Sequence, residues 1–265
     1  MNPSNPAAGS TATGPVVEAI VALDVATLAE AQALVGRLGP SCDFYKVGLE
    51  LFAAEGPAVV RWLRSEGKRV FVDLKLHDIP NTVRGAARSV ARLGASLLTV
   101  HASGGTEMMA AAVAGAAEGA AEGGAGCGIL GVTVLTSMDA GGVEEAWGRQ
   151  QVVVQGEVER LAGLVVAAGA AGIVCSGHEA AGVRARYGER LGLLVPGIRL
   201  AGGATHDQRR VMTPAAAAAA GGRWLILGRA VTGAADPVAA MGEVRAALAA
   251  TGLAATGLAG PAQVG

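Results

Sequence analysis

The sequence predicts an α/β protein built as a single closed (β/α)8 barrel, and three observations carry that expectation. About eight short apolar strand patterns alternate with helical patterns over roughly 235 residues, the rhythm of a parallel barrel with crossover helices. The turn after the first strand, Asp24-Val25-Ala26-Thr27, contains no glycine, so it lacks the dinucleotide loop that an open doubly wound sheet normally presents. Ionisable or polar side chains recur where the strand patterns stop, at Asp24, Lys46, Asp73, Lys75, His101, Thr136, Arg199 and Arg229. In a barrel, the carboxyl ends of the strands hold the active site.

Taken in order, the first strand pattern runs from Val16 to Asp24, and Thr27 to Leu38 then has helical spacing, with Leu28, Ala31, Leu34 and Val35 on one face. A second strand, Phe44 to Gly48, carries Lys46, and Glu50 to Ser65 reads as one helix. The third strand begins at Val70 and must end before Ile79, because Pro80 cannot continue a ladder. A helix from about Val83 to Leu93 follows, with Thr82 placed as its N-cap. Leu97 to Val100 makes the fourth strand, and the turn Ser103-Gly104-Gly105 leads into a helix from Thr106. Glu118 to Gly126 is too glycine-rich to stay helical throughout. Ile129 to Leu135 is the fifth strand, with a long loop from Thr136 to Gln150 and then a helix to Ala168. Strands at Ile173 to Cys175, Leu193 to Val195 and Trp224 to Leu227 complete the count, with helices from Glu179, Thr213 and Asp236 between and after them.

Composition limits the partners. With 51% hydrophobic residues, 3% aromatics and a formal net charge of −1, the chain has no basic field for nucleic acid. The longest uncharged apolar run, Leu161 to Cys175, is interrupted by glycines and is shorter than the roughly 20 residues of a bilayer span. Neither nucleic acid nor membrane is expected as a partner. Residues 1–14 carry neither the basic start nor the apolar centre of a secretory signal and are expected to be a disordered tail. Residues 15–250 form the catalytic barrel in this reading, and 251–265 a low-complexity tail. The three cysteines, Cys42, Cys127 and Cys175, are widely spaced with no CxxC pair, which fits a reducing, cytoplasmic setting and buried packing roles.

The chain is organised around Val70 to Thr82, where an apolar strand runs into Asp73, Lys75, His77 and Asp78. Strand alternation sets Asp73 and Lys75 on one face, a carboxylate beside an ammonium. Lys46, Lys68 and Lys75 are the only lysines among 21 Lys and Arg residues, and two of them stand at strand ends. A chain that prefers Arg for its charge keeps Lys where a compact, titratable ammonium is needed. A structural Lys75–Asp73 ion pair is the plainer alternative. Gly197-Ile198-Arg199 and Gly228-Arg229 follow the seventh and eighth strands, where barrels commonly bind phosphate, and they offer close backbone approach and guanidinium forks for an anion. Asp24 could accept from a sugar hydroxyl or cap the next helix. The four histidines are scattered and no carboxylates pair at ligand spacing, so no catalytic metal is expected.

The run Asp73-Leu74-Lys75-Leu76-His77-Asp78-Ile79-Pro80-Asn81-Thr82 resembles, without a gap, the signature of the orotidine 5'-phosphate decarboxylase family. Leu23-Asp24, Lys46-Val47-Gly48, His101-Ala102-Ser103-Gly104-Gly105, Val132 to Ser137, Pro196 to Arg199, Asp207 to Arg210 and Gly228-Arg229 match in the same order, so the resemblance covers about Val17 to Ala240. It implies a TIM barrel that decarboxylates orotidine 5'-monophosphate to uridine 5'-monophosphate in pyrimidine biosynthesis, with no cofactor. It further implies that Lys75 protonates C6 within a charge array of Lys46, Asp73, Lys75 and Asp78. Asp24 and Lys46 would hold the ribose, Thr136 the base, and Arg199, Gln208, Gly228 and Arg229 the phosphate. Asp78 and Thr82 would reach into the neighbouring subunit's site, which implies a homodimer. Two rivals remain: a magnesium-dependent sugar-phosphate enzyme of the same broad suprafamily, against which the intact His77-to-Thr82 run speaks, and a silent nucleotide-binding barrel.

Overall fold

The computed structural model, which describes residues 16–200, 212–253 and 255–256, turns the apolar patterns into parallel strands that close on themselves. The eight barrel strands are β1 (Val17–Leu23), β2 (Phe44–Val47), β3 (Arg69–Leu76), β4 (Leu97–His101), β5 (Gly128–Val132), β6 (Gly172–Val174), β7 (Gly192–Val195) and β8 (Trp224–Leu227). Each pairs in parallel with its neighbour in sequence, and β1 closes the ring by pairing with both β2 and β8. The helices are α1 (Leu28–Leu38), α2 (Leu49–Glu55), α3 (Pro57–Ser65), α4 (Pro80–Arg92), α5 (Gly105–Ala121), α6 (Ala140–Trp147), α7 (Val154–Ala167), α8 (Gly177–Tyr187), α9 (Pro214–Ala219), α10 (Arg229–Thr232) and α11 (Pro237–Ala249). A two-residue β9 (Ala255–Thr256) adds to β1 from within the stretch expected to be tail. The expected tail over residues 1–14, most of 251–265 and the segment around Gln208 lie outside the described residues.

Several local differences from the sequence reading have physical causes. The predicted helix over Glu50 to Ser65 is two helices, because Gly56 takes φ +59° and Pro57 starts a new first turn. Pro80 likewise starts α4 earlier than predicted, so Ile79 is the N-cap residue and Thr82 lies inside the first turn. The loop predicted from Thr136 to Gln150 contains α6, whose N-cap Asp139 accepts from Gly142 N and whose end is closed by Gly148 in the left-handed region. Glu118 to Ala121 stay helical as the last turn of α5.

Period-two alternation divides the interior into two cores. Ile20, Phe44, Phe71, Leu97, Leu130, Leu194, Trp224 and Ile226 fill the barrel itself, while the opposite faces of the strands pack beneath the helix ring. Each large side chain so buried contributes about 1.5–3 kcal/mol. Below the barrel core the inward Glu18 is closed off by Arg69, its ion-pair partner, and by Trp224, whose Nε1 donates to it at 3.1 Å. Cys42 and Cys175 are fully buried, Cys127 is half-buried, and burial pushes the thiols of Cys42, Cys127 and Cys175 up to about 11, about 12 and about 12. Among the described residues, no helix is long and apolar enough to cross a membrane.

Helices α4 and α5, which follow the two strands beneath the charged stretch, approach unusually closely. A Cβ on Gly115 would fall 2.1 Å from the Arg84 carbonyl oxygen, and one on Gly119 would fall 2.3 Å from that of Arg88. Arg84–Glu118 and Arg88–Glu122 ion pairs run along the same seam. Gly115→Ala would gain about 1 kcal/mol of helix propensity but lose about 1–3 kcal/mol by overpacking against a backbone oxygen that cannot swing away. Urea denaturation is therefore expected to show a lower midpoint for Gly115→Ala. In the same assay Gly242→Ala on α11, where the added carbon meets nothing within 4 Å, should raise it.

Candidate active site

One cavity of about 440 Å3 opens at the carboxyl ends of the strands. Its wall gathers Asp24, Lys46, Asp73 and Lys75 from the first three strands, Thr136 after β5, and Arg199, Gly228 and Arg229 after β7 and β8. Phe71, Val132, Leu194 and Ile226, from the inner faces of four strands, supply an apolar floor. Two of the predicted residues lie elsewhere. Asp78 and Thr82 do not line this cavity; both are exposed on the surface beyond β3, next to Ile79, which is 66% exposed. Gln208 lies outside the described residues.

The charged groups form a chain. Lys46 Nζ donates to Asp24 Oδ1 at 2.9 Å and stands 3.6 Å from Asp73 Oδ2, and Lys75 Nζ reaches that same Oδ2 at 2.9 Å. Lys46 and Asp73 are only 9% and 8% exposed, so their charges have left bulk water and are tolerable only because they are paired. Gly48 leaves room for the pair at the rim: a Cβ there would sit 3.0 Å from Lys46 Nζ.

Lys75 does not reach Asp73 by regular strand alternation. Its φ is +50°, one of two positive values among the described non-glycine residues, and the pairing of β3 with β4 slips between Val72 and Leu76. Val72 pairs with Leu98 and Leu76 with Val100, so β3 bulges outward over the length of Asp73-Leu74-Lys75. Thr99 of β4 fills the break: Lys75 N donates to Thr99 Oγ1 at 2.9 Å, and Thr99 Oγ1 donates to Asp73 Oδ1 at 2.8 Å. A search of the sequence for ionisable groups passes over Thr99. The available signal is a threonine in the inward row Leu97, Thr99, His101, on the strand next to Asp73 and Lys75.

On the far side, Arg199 is buried, and its Nη1 donates to the Ile198 carbonyl at 2.9 Å. Its backbone N–H donates to Met212 O, and Ile198 bridges to Met212 in parallel, which anchors Arg199 to Met212. Burial, and then the nearby Arg229 guanidinium, lower the pKa of Arg199 from the usual arginine value. Two guanidinium groups on one side of the cavity make that side electropositive. Among the described residues no group of three or more His, Cys, Asp and Glu side chains is arranged to hold a metal ion.

The chain is similar to known proteins of one family. The sequence pattern of the family described as "Orotidine 5'-phosphate decarboxylase / HUMPS family" matches residues 18–244. The orotidine 5'-phosphate decarboxylase of Anaeromyxobacter dehalogenans (strain 2CP-1) is 52% identical over 229 residues, covering 86% of this chain and 96% of the relative. That of Moorella thermoacetica is 47% identical over 228 residues, covering 86% and 90%. The crystal structure of orotidine 5'-phosphate decarboxylase from Lactobacillus acidophilus superposes with a TM-score of 0.78 at 34% identity, covering 89% of this chain and 99% of that one.

His101 closes β4 beside the charge chain, with its ring 5.5 Å from that of His77. Burial first, then His77 and Lys75, lower its pKa below the ordinary 6.5. A base held neutral in the fold contributes stability that is complete above about pH 6.5 and is lost as pH falls through the depressed value. Acidification from about pH 7.5 to about pH 5 should therefore lower the Tm of the native chain more than that of His101→Gln. Equal losses would mean that His101 does not contribute to acid sensitivity.

Proposed function

Because the chain belongs to the orotidine 5'-phosphate decarboxylase family, we propose that it converts orotidine 5'-monophosphate to uridine 5'-monophosphate and carbon dioxide, with Lys75 delivering the proton to C6. The observation that carries this reading is the alternating chain Asp24, Lys46, Asp73, Lys75 on the wall of one cavity whose other side holds Arg199 and Arg229. The carboxylate carbon leaves C6 as carbon dioxide, and the bonding electron pair stays on C6. An N–H of the Lys75 ammonium then transfers its proton to C6, leaving a neutral amine that takes a proton back from solvent.

Such a carbanion-like centre has no electron sink in the ring plane, so fixed charge must stabilise it. An ammonium aimed at C6 from a half-enclosed, apolar-floored cavity is worth more there than in water. Asp73, hydrogen-bonded and held beside the lysines, stands where the departing carboxylate would lie and resists its approach. In this assignment Asp24 and Lys46 hold the ribose, Thr136 the base, and Arg199, Gly228, Arg229 and Gln208 the phosphate. The phosphate grip is remote from C6, so its binding energy can be spent on bringing the reacting group against these charges.

A second copy of the chain completes the site. Asp78 and Thr82 lie on an exposed edge beside the exposed Ile79, away from their own cavity, which suits residues offered to a partner. The charge array then becomes Lys46, Asp73 and Lys75 from one subunit and Asp78 from the other.

Absorbance of orotidine 5'-monophosphate should fall on adding the chain in the presence of a chelator, while orotidine without phosphate should react far more slowly. Turnover that requires magnesium would favour the sugar-phosphate branch of the family instead. Lys75→Ala is expected to lower kcat about a thousandfold or more while uridine 5'-monophosphate still binds; near-normal turnover would overturn the proton-donor role. Mixing Lys75→Ala with Asp78→Asn subunits should restore roughly one quarter of the native sites by random pairing of a two-fold dimer. No recovery would place Asp78 in its own subunit's site.

A further inference from the structure

We propose that Thr99 is a positioning residue for this reaction: its one hydroxyl locks the Lys75 backbone and the Asp73 carboxylate into a single unit. The inference rests on the decarboxylase reading above and concerns how that site is held. Thr99 is fully buried in the inward row of β4, between Leu97 and His101. An inward polar group at such a depth is unfavourable unless it is paired, and valine would fill the same shape. The hydroxyl therefore requires a reason.

Its bonding is fixed in direction. The Lys75 N–H can only donate, so Thr99 Oγ1 accepts it at 2.9 Å, and the hydroxyl proton is left for Asp73 Oδ1 at 2.8 Å. That consumes one oxygen of the carboxylate and leaves Oδ2 to face both ammonium groups, Lys75 at 2.9 Å and Lys46 at 3.6 Å. The same bond gives the Lys75 N–H an acceptor where the β3–β4 ladder slips, and it holds Lys75 at φ +50°, a conformation that L side chains rarely keep unaided. Threonine is β-branched, so its χ1 is restricted and the hydroxyl cannot readily swing away. One side chain thus sets both the origin of the Lys75 side chain and the plane of its carboxylate partner. A proton donor misplaced by about 1 Å can lose about a hundredfold in rate without any loss of binding.

The test is steady-state decarboxylation of orotidine 5'-monophosphate by Thr99→Val, Thr99→Ser and Thr99→Cys, with circular dichroism of each. We expect kcat to fall about tenfold or more in Thr99→Val with KM changed less than about threefold. Thr99→Ser should recover most of the loss, and Thr99→Cys, with a weak donor of similar size, should fall between Ser and Val. A role in packing alone would lower the melting temperature while leaving kcat of the folded enzyme near native. A kcat within about twofold of native in Thr99→Val, or equal impairment of Thr99→Ser and Thr99→Val, would overturn the inference. Should Thr99→Val not fold, the Ser and Cys variants decide, and equal kcat in those two would overturn it. Failure of the native chain itself to release carbon dioxide would be a separate result, sinking the decarboxylase reading and this inference with it.

Discussion

The structure depends on one carboxylate, Asp73, held between two ammonium groups at the mouth of an apolar barrel. Lys46 and Lys75 both address its Oδ2, and neither Lys46 nor Asp73 retains more than a tenth of its surface in water. Such a group persists only while every partner is in place, because breaking a buried pair leaves an uncompensated charge that costs about 3–5 kcal/mol. The local irregularities can be read as consequences. Gly48 keeps its Cβ position clear of Lys46 Nζ, the β3 slip brings Lys75 back toward Asp73, and Thr99 occupies the remaining acceptor. The apolar floor of Phe71, Leu194 and Ile226 strengthens these attractions by excluding water from beneath.

The same inward rows carry charge at both ends, with opposite effects. At the amino end Glu18 is capped by Arg69 and Trp224, and Arg69 lies over the Phe44 ring at 4.1 Å. There the carboxylate is met on several sides, with Arg223 also 4.0 Å from Glu18. At the carboxyl end the charges face a cavity, and Lys75 keeps an exposed flank, with its side chain 30% accessible. Between them lie Phe44, which packs against Arg69 at the amino end, Leu130, and the cavity floor of Phe71, Leu194 and Ile226. The barrel therefore divides its polar interior into a plug and a site by a single apolar layer, a consequence of alternation along short strands of similar phase.

Much of this is legible in the sequence because the relevant signals are local. The eight strands announce themselves as short apolar runs, and Asp24, Lys46, Asp73, Arg199 and Arg229 stand where those runs stop, so barrel closure alone brings them to one cavity. Alternation puts Lys75 beside Asp73 for an incomplete reason: the chain gets there through a left-handed residue and a slipped ladder, neither of which leaves a mark in residue type. Thr99 escapes a sequence reading because a threonine in a β-rich run looks like ordinary strand propensity, and its role exists only across two strands. The division of Glu50 to Ser65 into two helices is written in Gly56-Pro57, whereas α6 is hidden by glycines that read as loop. Residues 201–211, which include Gln208, lie outside what the structure describes.

Charge balance links the two halves of the cavity. Asp24, Lys46, Asp73 and Lys75 sum to zero, while Arg199 and Arg229 leave two positive charges near the ends of β7 and β8. A phosphate monoester carries about −1.5 to −2 near neutral pH and offsets them almost completely. A phosphate monoester is therefore matched to the two arginines, while the Asp78 proposed to come from the second subunit adds a negative charge on the lysine side. In the proposed reading, a substrate that also bears a carboxylate on its base brings a further negative charge, set against Asp73, whose own charge is already paired with two lysines. In that reading a grip on the phosphate draws the substrate in against this repulsion, and loss of the carboxylate as neutral carbon dioxide removes the surplus. In the proposed reaction the negative charge left on C6 is quenched by a proton from the Lys75 ammonium. On this account the arginines and the Asp73–Lys75 pair act on the same event from opposite ends of the substrate, and the rigidity of the pair decides how much of the arginines' binding energy reaches the bond that breaks.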